Sequence, residues 1–151
     1  MGKIKIGISG CLGRMGQELV NQSKKDNRIN FVGGFDIKDT NKIINEIFDK
    51  SDVVIDFSSP LAIKKNIDLA ISKKTALVIG TTGLNENNIK QLKNASKQIP
   101  ILVSSNMSLA VNLLFNLVEK TALILKDADY DIEIAETHHK HKKDAPSGTA
   151  I

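Results

Sequence analysis

Lys3-Ile4-Lys5-Ile6-Gly7-Ile8-Ser9-Gly10-Cys11-Leu12-Gly13-Arg14-Met15-Gly16 decides the fold. Isoleucines recur through residues 3–9, and Gly10, Gly13 and Gly16 then carry the chain into a helix-period segment. A strand that turns on glycine into a helix brings backbone N–H groups and the positive helix end close to a pyrophosphate. The spacing is G-x-x-G-x-x-G, with Leu12 where the G-x-G-x-x-G pattern has its second glycine. Context strengthens the motif: Asp36 ends the second strand-like run, 20 residues beyond Gly16, where a carboxyl group can take ribose hydroxyls. Gly10, Cys11, Leu12, Gly13, Arg14, Met15 and Asp36 are therefore candidate contacts for a dinucleotide. The plainer alternative is a glycine turn that only packs helix on strand. Cys11 reads as a small turn residue rather than a redox group, and Arg14 either follows the phosphates or faces solvent.

Further strand-like runs lie at residues 29–35, 53–57, 76–80, 101–104 and 131–135. Helical patterns alternate with them. Ile63, Ile67, Ala70 and Ile71 share one face of a helix expected over residues 61–72, with Ser59 as N-cap and Pro60 at its first position. A small helix is expected near residues 42–48. Ser108 is placed to cap the longest helix, residues 109–125, whose Val111, Leu114, Leu117 and Val118 form an apolar stripe. Alternating strand and helix predicts an α/β fold, a Rossmann-type doubly wound parallel sheet with both strand faces buried. An acidic patch at residues 127–129 marks the expected boundary between a dinucleotide-binding domain, 1–128, and the start of a second domain, 129–151.

A length of 151 residues fits one domain, or one domain and the beginning of another. Hydrophobic residues at 41% and charged residues at 25% are ordinary for a globular chain. No run is long enough to span a bilayer, and the N-terminal apolar run ends in glycines, so it reads as a first strand rather than a signal peptide. The net charge of +4 raises nucleic acid as a partner, but the lysines are scattered and one tyrosine with no tryptophan leaves little to stack on bases. Nucleic-acid and membrane partners are not expected. One cysteine excludes an internal disulfide and fits a cytoplasmic location.

Two more loops follow strand ends, where open α/β sheets bind ligands. Gly80, Thr81 and Thr82 lie in one, and Ser104, Ser105, Asn106 and Met107 in the other; their polar groups suit a nicotinamide or its ribose. Ordinary turn and cap chemistry is the alternative. Asp36 favours NADH, whereas Lys38 could pair with the 2′-phosphate of NADPH, so either cofactor remains open.

The segment His138-His139-Lys140-His141-Lys142-Lys143, followed by Pro146-Ser147-Gly148-Thr149, concentrates titratable and cationic side chains beside an anion-holding turn. Lysines among the histidines disfavour a metal, and none is expected. A solvated basic loop is the bland reading. The chemical one is a site for a small dicarboxylate, with a proton-transfer group and cations to hold the acid.

The run Glu133 to Ala150 closely resembles the signature of the 4-hydroxy-tetrahydrodipicolinate reductase family of lysine (diaminopimelate) biosynthesis. Gly10-Cys11-Leu12-Gly13-Arg14-Met15-Gly16, Asp56-Phe57-Ser58, Gly80-Thr81-Thr82-Gly83 and Ser105-Asn106-Met107-Ser108 resemble its other motifs. The resemblance implies an NADPH- or NADH-dependent oxidoreductase that delivers hydride to C4 of a cyclic dicarboxylate as water is lost. It implies His138 and Lys142 as proton-handling groups, and His139, Ser147, Gly148 and Thr149 as substrate contacts. It also implies homotetramers at full length. The segment between Asp36 and Val53 is shorter than is usual, and Met107 replaces a common phenylalanine. The family continues well past the Pro-Ser-Gly-Thr turn, so residues 129–151 are expected to be only the first strand and loop of a truncated α+β substrate domain.

Overall fold

The computed structural model describes residues 2–138, 140 and 147. Among them the elements run β1 (Ile4–Ser9), α1 (Arg14–Lys25), β2 (Ile29–Phe35), α2 (Asn41–Lys50), β3 (Val53–Asp56), α3 (Ile63–Lys73), β4 (Ala76–Ile79), α4 (Glu86–Ala95), β5 (Ile101–Val103) and α5 (Leu109–Leu125). The strands form one parallel sheet in the order β2-β1-β3-β4-β5. Growth of the sheet reverses at β1, with β2 on one side and β3 on the other. The crevice beyond the C-terminal ends of β1 and β3 is thus the topological switch point, where such sheets bind ligands.

Side chains alternate across a strand, so the register places Gly7, Val54 and Leu77 on one face and Ile8, Ile55 and Val78 on the other. On the first face Ile47 and Phe48 of α2, Ile63 and Ile67 of α3 and Leu92 of α4 close over Val54, Leu77 and Ile79 in one buried core. On the second face Leu19 and Ser23 of α1 lie with Ile6 and Ile55. Ile6 and Ile8 are buried, but Ile55 and Val78 are only half-buried. Burial on both faces, expected for every strand, is thus reached only over residues 6–9 of β1.

Local chemistry sets the helix starts. Thr40 Oγ1 accepts from Ile43 N–H at 3.4 Å, and Ser108 Oγ from Val111 N–H at 3.5 Å. Asn85 and Asn88 make a reciprocal capping box at α4. Helix α3 begins later than its sequence suggests: Ala62 N–H bonds to Ser59 O in a turn, and Ala62, not Ser59, occupies the N-cap. Pro60 sits in that turn, ahead of the first helical residue.

The chain divides into two compact units, Met1–Val103 and Ser104–Ile151. The whole sheet lies in the first. Helix α5 buries none of its residues; its apolar stripe forms without becoming core. Residues 131–135, expected as a strand, carry none. A strand exists only through a ladder partner, and no other strand of this unit is present among the described residues.

Candidate functional site

The glycine loop is built by close backbone approach. Gly10 has φ +78°, a left-handed conformation, and a Cβ there would stand 2.5 Å from Phe57 O. A Cβ on Gly16 would stand 2.0 Å from Gly10 O, so α1 can meet the loop only with glycine at this position. Gly10 and Cys11 N–H both bond to Phe35 O, at 2.9 and 3.3 Å, which ties the loop to the end of β2. Gly13 is the N-cap of α1, supplies no capping side chain, and no acidic residue occupies the first turn. The first-turn N–H groups and the positive helix end are thereby offered to an anion.

Asp36 is held by the same loop. Its Oδ2 accepts from Leu12 N–H at 3.2 Å and its Oδ1 from Ile37 N–H at 2.8 Å, while its own N–H donates to Asp39 Oδ2 at 2.7 Å. Cys11 packs over Gly34, where an added Cβ would lie 2.5 Å from Cys11 Cβ. Burial, then the Asp36 and Asp39 carboxyls, push its thiol above the usual range. The turn role fits this better than redox chemistry does. Leu12, Gly13, Arg14 and Met15 are exposed, as is Lys38.

A cavity of about 580 Å³ opens at the switch point. Ser9, Gly10, Leu12 and Gly13 form its phosphate-loop side, Asp36 and Ile37 the β2 end, and Phe57 to Ser59, Leu61 and Ala62 with Lys65 and Asn66 the β3 and α3 side. Beneath it lies a polar network that the sequence did not disclose. Asp56 is fully buried. Its Oδ1 accepts from Ser58 N–H (2.9 Å), Ser58 Oγ (2.6 Å) and Thr81 Oγ1 (2.9 Å), and its Oδ2 from Asn66 Nδ2 (2.6 Å). Asn66 Nδ2 also donates to Ser9 Oγ at 3.0 Å. Five side chains thus join the ends of β1, β3 and β4 to α3.

Thr81, a candidate cofactor contact, is 6% exposed and turns its hydroxyl into this network. Gly80 N–H bonds to Asp56 O at 2.9 Å, and Gly80 lies under the Phe57 ring. Thr82 is exposed at the loop surface. Asn66 escaped sequence reasoning because a single polar residue in an amphipathic helix looks like an exposed position.

In the second unit the Ser104–Asn106 turn is tied to the start of α5. Ser104 Oγ donates to Asn106 O at 2.7 Å, Asn106 Oδ1 accepts from Ser108 N–H at 2.9 Å, and Asn112 Nδ2 donates to Asn106 O at 3.1 Å. Ser105 and Met107 are exposed. Glu136, unremarked in the sequence, braces two candidate residues: its Oε1 accepts from Ser147 N–H at 3.0 Å, and its Oε2 faces His138 Nδ1. The Ser147 bond and the neighbouring His138 hold its carboxyl below the usual range. Ser147 is buried. His139, Lys142, Gly148 and Thr149 lie outside the described residues.

The residues present fit a dinucleotide. Gly16 lets α1 close on the Gly10 turn, the α1 N-terminus is open to phosphate, and Asp36 stands at the cavity wall. Fold and site together define a dinucleotide-binding α/β domain with a second unit beside it in sequence. The comparisons with known proteins carry this further. The family descriptions "Dihydrodipicolinate reductase, N-terminus" and "Dihydrodipicolinate reductase, C-terminus" match residues 4–107 and 110–151. The chain belongs to the dihydrodipicolinate reductase family.

It is 47% identical over 148 residues to a 4-hydroxy-tetrahydrodipicolinate reductase of Rickettsia akari, covering 98% of this chain and 60% of that protein. To the same-named protein of Alkaliphilus oremlandii it is 48% identical over 143 residues, covering 95% and 58%. A dipicolinate-bound dihydrodipicolinate reductase from Paenisporosarcina sp. TG-14 superposes with a TM-score of 0.71 at 26% identity, over 98% of this chain and 63% of that one. The chain therefore spans about 60% of the length of the relatives it matches. Among the described residues no helix is long and apolar enough to cross a membrane.

Proposed function

We propose that this chain carries the cofactor site and the acid–base loop of a cytoplasmic 4-hydroxy-tetrahydrodipicolinate reductase, which forms tetrahydrodipicolinate in lysine biosynthesis. The observation that carries the reading is the switch-point cavity, walled by the Gly10–Gly16 loop and Asp36, in a chain whose family match runs from residue 4 to residue 151. NADPH or NADH, when bound, supplies the hydride. Gly10 to Gly13 shape the loop around the pyrophosphate, Arg14 and Met15 at the α1 N-terminus take it through backbone N–H groups, and Asp36 takes the adenosine ribose.

Gly80 to Thr82 and Ser104 to Met107 serve the nicotinamide end, with Thr81 acting through Asp56 and not by touching cofactor. The dicarboxylate reading is supported by the dipicolinate of the Paenisporosarcina relative. His139, Ser147, Gly148 and Thr149 hold the carboxylates, and His138 and Lys142 move protons. Glu136, against His138 Nδ1, leaves Nε2 as the nitrogen that exchanges a proton with the reacting molecule. Tetramer assembly belongs to the same proposal for the full-length protein.

A second reading, a dinucleotide-binding module without turnover, is favoured by one fact: every residue lining the cavity lies within the first compact unit. Hydride transfer needs substrate held and water excluded. Titration with NADPH and NADH, with and without pyridine-2,6-dicarboxylate, separates the two. Cofactor affinity that rises with the diacid supports the reductase site; affinity indifferent to it supports the module. No cofactor binding refutes both.

A further inference from the structure

The cavity at the switch point contains one acidic and one basic side chain, Asp36 and Lys65. Asp36 opposes a phosphate on the adenosine 2′-oxygen, so acceptance of NADPH needs a cation within the same cavity. Lys38, which sequence alone suggests, is exposed and is not part of the cavity wall. Arg14 is exposed at the helix start and is likewise not part of it. The geometry points to Lys65 as the residue that admits the 2′-phosphate and so sets the preference between NADPH and NADH; this rests on the dinucleotide reading of the cavity.

Three features place Lys65 for that task. Asn66, the next residue, is anchored to Asp56 and Ser9, which fixes the start of α3 against the switch point. Lys65 Nζ donates to Asn41 Oδ1 at 2.8 Å, and Asn41 opens α2, just after the loop that carries Asp36. The ammonium is thereby drawn toward the adenosine-ribose end. An amide oxygen takes only one of its three hydrogens.

No carboxyl among the described residues pairs with Lys65, whereas Lys64 and Lys73 of the same helix pair with Asp68 and Asp49. A cation held by a neutral partner keeps its charge for a ligand. Asp36 is spoken for differently: each oxygen already accepts one backbone N–H, which fixes it in place for ribose hydroxyls. One wall thus suits a 2′-hydroxyl and the other a 2′-phosphate.

The test is calorimetric titration of the chain, and of Lys65→Met, Lys65→Arg and Lys38→Met, with 2′-phospho-ADP-ribose and with ADP-ribose. These probes lack the nicotinamide, so binding is read without turnover. Lys65→Met is expected to weaken the phosphorylated probe by about tenfold and the other by less than about twofold, the scale of one charge-assisted contact. Lys65→Arg is expected to keep the ratio, Lys38→Met to leave it, and added salt to erode it. An unchanged ratio in Lys65→Met, or a ratio moved by Lys38→Met instead, overturns the assignment while the cavity remains a dinucleotide site. Failure of the unsubstituted chain to bind either probe overturns the dinucleotide reading and the assignment with it.

Discussion

Replacing Asn66 by leucine tests whether the buried network under the cavity is as uneven as its hydrogen bonds imply. The two side chains share a four-atom branched skeleton, and the site is 2% exposed, so the change removes polarity while keeping the branching. Two donations are lost, to Asp56 Oδ2 at 2.6 Å and to Ser9 Oγ at 3.0 Å. Among the described residues Oδ2 has no other donor, so a fully buried acceptor is left bare. A net hydrogen bond contributes about 1 kcal/mol and a stranded buried acceptor costs about 1–3 kcal/mol, giving a loss of about 3 kcal/mol.

Thr81→Val, which is isosteric, removes one donation to Oδ1 and the acceptance from Ser58 N–H at 3.0 Å, but Oδ1 keeps both Ser58 donors and the Ser58 N–H keeps Oδ1. Its cost is about 1 kcal/mol. Urea unfolding followed by circular dichroism measures both, read as a shift in midpoint at constant slope. The reasoning is refuted if Thr81→Val costs as much as Asn66→Leu, or if Asn66→Leu costs less than about 1 kcal/mol.

Gly16→Ala drives a methyl group to 2.0 Å from Gly10 O, so cofactor affinity falls by more than about tenfold; calorimetry showing native affinity would disprove the close-approach account. Cys11, with its thiol pushed up by burial and by Asp36 and Asp39, holds less thiolate at pH 8 than a free cysteine. It is expected to alkylate with iodoacetamide more slowly than glutathione, and an equal or faster rate contradicts the packing described. For Glu136, the lowered carboxyl range means that its bond to Ser147 contributes stability above the ordinary glutamate range and loses it only as pH falls through the lowered value. Its carboxyl carbon-13 shift should titrate below that of free glutamate; a higher midpoint would be inconsistent with the contact. In a full-length background His138→Ala should depress turnover far more than cofactor affinity, and equal loss of both would remove it from proton transfer.

The parts of the fold and site written in short-range pattern were legible. Isoleucine-rich runs, glycines at residues 10, 13 and 16, and Asp36 after β2 each act on near neighbours, and the sheet assembled accordingly. The direction of the Thr81 hydroxyl was not legible, because a hydroxyl in a strand-end loop has two directions, and a carboxyl 25 residues away draws it inward. Ser59 was misplaced as an N-cap because Ser-Pro signals both a helix start and a turn, and the turn to Ala62 prevailed. The β-like run at 131–135 lacked the one thing a strand cannot supply for itself, a partner.

By itself, then, the amino-acid sequence determined the alternation of strand and helix, the glycine approach to a phosphate and the family signature, because these depend on local sterics and periodicity. Only the tertiary structure decided that Asp56, Asn66, Ser9, Ser58 and Thr81 share one buried network, that Lys65 stands at the cavity where Lys38 does not, and that Glu136 braces Ser147. Apart from Ser58 with Asp56, those pairings join residues 10 to 57 positions apart, through directions that packing sets and no local pattern encodes.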